Sequence, residues 1–161
     1  MFRATGRSHC PINYTVEVIG DRWSVIILRD MFAVGSSTFA DFMAAKERIG
    51  TSVLTTRLAY LESRGVIQRS DDPHDARRSR YTVTEVGLRL VPIIWEMAKF
   101  GTISYPDADA RPAHYEAEAL PGTVVVDAWQ AAVRAGSSFY YGPDSVVAQL
   151  GLTPAEPKLA G

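Results

Sequence analysis

Three arginines fall within four positions, Arg77, Arg78 and Arg80, with His74 just ahead of them. A guanidinium keeps its charge and presents a planar fork of donors, a geometry that grips phosphate or enters a narrow duplex groove. Asp71, Asp72 and Asp75 share the stretch and allow a second reading, a solvated turn in which acids neutralise the arginines. A mixed outcome is expected, with Asp75 pinning one arginine while the others stay outward. Upstream, Ser52, Thr55, Thr56 and Tyr60 supply hydroxyls able to donate to or accept from base edges, beside Arg57 as a phosphate or packing residue. Cys10 precedes Pro11, where a helix N-terminus would favour a thiolate; the alternative is a small buried residue at a seam.

The elements that must carry these groups follow from spacing. Pro11 opens a first helix through Ile12, Val16 and Ile19, and Asp21 caps a second with Trp23, Ile26, Ile27 and Met31 inward, ending at Gly35. A third short helix, capped by Ser37 or Thr38, turns Phe39, Phe42 and Met43 inward. A fourth, capped by Thr51 or Ser52 and closed by Gly65, carries the hydroxyls. At 100° per residue Leu54, Leu58 and Leu61 lie within about 60° of one another, and Ser52, Thr56, Ala59 and Ser63 point the opposite way. Thr55 and Tyr60 fall on the flanks. That outward face is small, hydroxylated and acid-free near its start, so it can approach bases in a major groove; the plain alternative is a neutral solvated face.

Two short strands, 66–69 and 80–83, flank a polar loop over 70–79. Thr84 and Glu85 then open one long helix through Leu88, Val91, Ile94, Trp95 and Ala98, with Pro92 expected to bend it. Residues 107–112 read as a linker, 124–135 as a strand running into a helix, 144–150 as a short helix capped by Asp144, and 153–161 as a frayed end. The expected fold is mainly α with a small β-hairpin, a winged helix-turn-helix over 10–104 followed by a partly helical extension over 105–161.

Composition narrows the function classes. The chain has 161 residues, 47% hydrophobic and 22% charged, with one cysteine and a net charge of −1. An intrachain disulfide is impossible, and no apolar run nears the roughly 20 residues that span a bilayer. The start lacks an apolar signal core, so a cytoplasmic address is expected. Residues 1–104 carry 14 Lys and Arg against 11 Asp and Glu, whereas 105–161 carry 3 against 7. The first part suits a polyanionic partner and the second does not. No phosphate loop, GxSxG turn, zinc-protease signature or paired-carboxylate set is present, so no enzyme is expected. His9 beside Cys10 has no companion ligands, and neither a metal nor another cofactor is expected.

Over residues 10–101 the sequence resembles the HxlR family of winged-helix transcription factors, themselves similar in fold to MarR regulators. The resemblance rests on Cys10-Pro11, Ile19-Gly20-Asp21-Arg22-Trp23, Ile27-Leu28-Arg29-Asp30, Phe39-Ala40-Asp41-Phe42, Ile49-Gly50-Thr51-Ser52 with Val53-Leu54-Thr55-Thr56-Arg57-Leu58, and Arg80-Tyr81-Thr82-Val83-Thr84-Glu85-Val86-Gly87. It implies double-stranded DNA as partner and a homodimer built from the first and last helices. Ile12, Val16, Val91, Ile94, Trp95 and Ala98 are the expected interface, with packing under the extension as the alternative. It further implies that Cys10 occupies the place where some relatives sense oxidants or electrophiles. Thr38 departs from the family's usual arginine, and the 71–78 loop looks more MarR-like. The extension has no counterpart; an effector-binding flap, a dimer clasp and a tail are the options. A winged helix used only for protein contacts is the rival function, which flat salt dependence of duplex binding would favour.

Overall fold

The computed structural model describes residues 9–72, 75–105 and 111–154, and the backbone alone at 76 and 77. Helix α1 (Pro11–Ile19) starts on a proline whose missing amide costs nothing there. Helix α2 (Arg22–Arg29) is capped by Asp21, which accepts from the amides of Trp23 and Ser24 at 3.0 Å. It runs on into a π-helical turn, Asp30–Val34, before Gly35 stops it. Helix α3 (Phe39–Met43) begins on a capping box between Thr38 and Asp41, and α4 (Thr51–Ser63) follows as the second half of a helix-turn-helix. Gly50, not Thr51 or Ser52, holds the N-cap position of α4, so both hydroxyls lie on the helix itself.

Strands β1 (Ile67–Asp72) and β2 (Asp75–Val83) pair antiparallel from Ile67–Val83 to Asp72–Asp75. The pairing continues through most of what sequence spacing assigns to a loop, because Ser70, Asp71 and Ser79 complete the ladder. The segment before α3 adds a short third edge, with the Tyr81 amide donating to the Ser37 carbonyl at 2.7 Å.

The expected long helix is two. Helix α5 (Glu85–Leu88), capped by Thr84, ends before Pro92, which sits at the start of α6 (Val91–Ser104) rather than bending its interior. Gly87 lets α5 rest on the hairpin base, since a Cβ there would lie 2.2 Å from the Val66 carbonyl oxygen. In the extension, α7 (Pro112–Glu118), α8 (Gly122–Arg134) and α9 (Val146–Leu150) are helical throughout. The expected strand at 124 is absent because Val125, Ala128, Trp129 and Ala132 recur at helical spacing and are buried. Ser145 rather than Asp144 caps α9. The expected linker falls largely on 106–110 and the frayed end largely on 155–161, outside the described residues.

One core joins the two parts. Trp95 of α6 meets Trp129 edge-on, stacks on Phe139 and touches the His114 ring at 5.0 Å. Trp129 Nε1 donates to the Phe32 carbonyl at 2.8 Å, as does the Phe139 amide at 2.9 Å, so the extension satisfies carbonyls at the helix end. This corrects the expected interface: Val91, Ile94 and Trp95, the last only 1% exposed, are consumed within the chain. Ala98 is half-buried. Apolar exposure lies on the opposite side of α6, at Met97, Phe100 (73%) and Ile103 (81%), and on α1 at Ile12 and Val16.

Candidate nucleic-acid interface

Helix α4 divides as its spacing dictates. Leu54, Leu58 and Leu61 are buried, while Ser52, Val53, Thr55, Thr56 and Ala59 are exposed. Thr55 Oγ1 donates to the Thr51 carbonyl at 2.9 Å and Thr56 Oγ1 to the Ser52 carbonyl at 2.8 Å. Each threonine therefore turns its single hydroxyl proton back to the helix and keeps acceptor lone pairs and a methyl outward.

Tyr60 is not part of that face. It is 5% exposed, and its hydroxyl donates a short hydrogen bond to the Glu17 carbonyl of α1. The flank of α4 about 120° from the leucine stripe is covered by α1, which removes Tyr60 from any groove. Burial raises its phenol above the ordinary pKa. Arg64 stacks on Tyr14 along the same seam.

Arg57 is half-buried, with Nε 3.2 Å from Asp21 Oδ1. Asp21 thus caps α2 and holds the recognition-type helix at a fixed angle to it. Arg29 does the same work on the other side of the turn. It bonds Asp30 at 2.7 and 2.9 Å, and grips Glu47 with both NH groups. The Arg29 guanidinium pushes the Glu47 carboxyl down to about 2. Arg22 lies over the Trp23 ring, 4.8 Å from its centroid.

On the hairpin, Arg78 is 73% exposed with Nε 3.3 Å from Asp75 Oδ2. Arg80 is more committed. It reaches Asp72 at 2.9 and 3.3 Å and the Ser37 hydroxyl at 3.3 Å, tying the wing base to the start of α3. His74 and the side chain of Arg77 lie outside the described residues. Arg69, on β1 and exposed, donates to the Ser79 hydroxyl at 2.7 Å and adds a cation to the wing. Its place on the strand ahead of the arginine cluster was the available signal for it. Cys10 is exposed and occupies the N-cap of α1.

A helix-turn-helix flanked by a two-stranded wing, with an open hydroxylated second helix, defines a winged helix-turn-helix protein. The model of the HxlR-like helix-turn-helix family matches residues 18–109, and the chain belongs to that family; curated relatives of the chain are named HTH-type transcriptional regulators. The HTH-type transcriptional regulator sll1512 of Synechocystis is 32% identical over 93 residues, covering 58% of this chain and 68% of its own. YvaP of Bacillus subtilis, also an HTH-type transcriptional regulator, is 33% identical over 94 residues, covering 58% and 86%. Among solved structures, the oxidised form of the redox regulator HypR superposes with a TM-score of 0.53 at 30% identity, covering 63% of this chain and all (100%) of its own. PA1607 gives a TM-score of 0.59 at 27% identity, covering 65% and 73%. No helix among the described residues is long and apolar enough to cross a membrane.

Proposed function

We propose that the chain is a cytoplasmic, sequence-specific DNA-binding regulator that occupies a pseudo-palindromic operator as a homodimer. The observation that carries this reading is the exposed, acid-free first half of α4 beside an arginine-bearing wing. Ser52, Thr55 and Thr56 read bases. With their protons turned inward, the threonines favour amino groups of adenine or cytosine and the thymine methyl. Arg78 and Arg69, with Arg77 and His74 near the tip, hold phosphate or the minor groove, while Arg57 and Arg80 keep helix and wing in place.

One such helix contacts only a few base pairs, so useful specificity needs two half-sites. The exposed apolar residues Ile12 and Val16 of α1 and Met97, Phe100 and Ile103 of α6 support a second copy as the cover. DNA binding and dimerisation belong to residues 10–104, and 105–161 is an added segment. The exposed thiol at the head of α1 and the likeness to HypR support control by thiol modification. Footprinting on the DNA flanking the protein's own gene, with and without oxidant, tests this reading. Two protected half-sites about 34–36 Å apart, altered by oxidant only when Cys10 is present, are expected. A chain that protects nothing is a protein-interaction module instead.

A further inference from the structure

We infer that the cleft between the connector of the helix-turn-helix and the extension binds a small planar organic anion of the aromatic carboxylate class. The cleft holds about 670 Å³, within the range of small-molecule sites. One wall comes from the π-turn and the α3–α4 connector, including Ala45 and Lys46; the other comes from Arg111, His114, Tyr140 and Tyr141 of the extension.

Charge decides the class of ligand. Arg29 is satisfied by Asp30 and Glu47, and Asp41 accepts from the amides of Ser37 and Thr38 at 2.9 Å. Arg111 has no carboxylate partner among the described residues. Its guanidinium lies 4.6 Å from the Tyr140 ring centroid and 5.2 Å from that of Tyr141, and it donates to the Tyr141 hydroxyl at 2.5 Å. Two tyrosines thus orient a half-buried fork whose natural complement is a carboxylate. Lys46, also without an acid partner among the described residues, lies on the other wall. Because Arg111 already fills the cation position over the rings, an aromatic amine has no place there. The ring of an aromatic acid finds flat neighbours in the half-buried Tyr140 and Tyr141 of the cleft lining.

The connector wall leads directly into α4, so a ligand bridging it to Arg111 shifts the helix that meets DNA. That consequence rests on the function proposed above; binding itself does not. Trp129 lines the cleft, so tryptophan fluorescence of the full chain can be titrated with benzoate, benzamide and benzylamine. Saturable quenching by benzoate is expected, at least ~10-fold weaker for the other two and at least ~10-fold weaker in Arg111→Gln. Arg111→Lys, which keeps the charge and loses the fork, falls between and serves if the glutamine variant misfolds. No saturation by ~10 mM benzoate, equal binding of benzylamine, or undiminished binding by both Arg111 variants overturns the proposal. A chain that binds benzoate but not DNA retains this site and loses the function proposed above.

Discussion

The hydroxyl of Tyr60, on the helix that carries the open face, donates to the backbone carbonyl of Glu17 in α1. This bond ties α4 to the helix headed by Cys10 and carrying the exposed Ile12 and Val16. A change at the thiol or at the exposed apolar side of α1 therefore has a short physical route to α4. Tyr60→Phe removes the anchor while preserving the ring. A loss of about 1 kcal/mol of stability is expected, read by denaturant unfolding, with the preferred operator sequence unchanged. A shifted sequence preference in a binding-site selection would return Tyr60 to the groove.

The proposed function gives Arg78 and Thr56 two different kinds of contact, with phosphate and with bases. Arg78→Ala is expected to weaken operator and random duplex about equally and to lower the salt slope by roughly 1 per protomer. Thr56→Ala is expected to cost about 1–3 kcal/mol on the operator and little on random DNA, by titration of both probes. Equal effects of the two substitutions on both probes contradict the division.

Arg80 supports the wing from its base. Arg80→Ala leaves the buried Asp72 without its guanidinium and uncouples the hairpin from Ser37. Destabilisation of about 1–3 kcal/mol is expected, with hydrogen exchange accelerated in β1 and β2 before the helices. Arg78→Ala in the same assay leaves exchange unchanged.

The two sides of α6 answer differently. Phe100→Asp, on the exposed side, is expected to give folded monomers by sedimentation, with the melting temperature little changed at high dilution. Trp95→Ala, on the covered side, empties the centre of the core and is expected to cost about 3–5 kcal/mol.

His114 supplies a pH signature. Burial lowers its pKa below the ordinary histidine value, against the opposing pull of Glu118, whose Oε1 lies 2.9 Å from Nε2. The fold therefore favours the neutral ring, and its contribution is complete above the unfolded value of about 6.5. Stability is lost as pH falls from there through the folded value, because the unfolded chain takes the proton first. His114→Gln is expected to flatten the pH dependence of unfolding between about pH 7 and 5; an unchanged slope contradicts this.

Much of this was legible in residue spacing. The order of helices, hairpin and helix followed from period changes, and the division of α4 followed from Leu54, Leu58 and Leu61. Local pattern could not show what lies over a flank. Tyr60 and Ser63 border the same turn, yet only Tyr60 is roofed by α1. Likewise α6 carries two apolar stripes, and the sequence alone offered no way to know that Trp95 belongs to the extension and Phe100 to the outside. The wing arginines were visible as a cluster, but Arg80 was separated from Arg78 only by its side-chain partners, Asp72 on β1 and Ser37 ahead of α3.

The central claim is that α4 and the wing meet duplex DNA through phosphate-neutralising charges around a hydroxylated reading face. Titrating a duplex carrying the footprinted site at salt concentrations from about 50 to 200 mM tests it most directly. A linear log–log dependence and an affinity loss of about 10²–10³-fold are expected, as roughly four to six neutralised phosphates require. A flat dependence, or no duplex binding at the lowest salt, contradicts it.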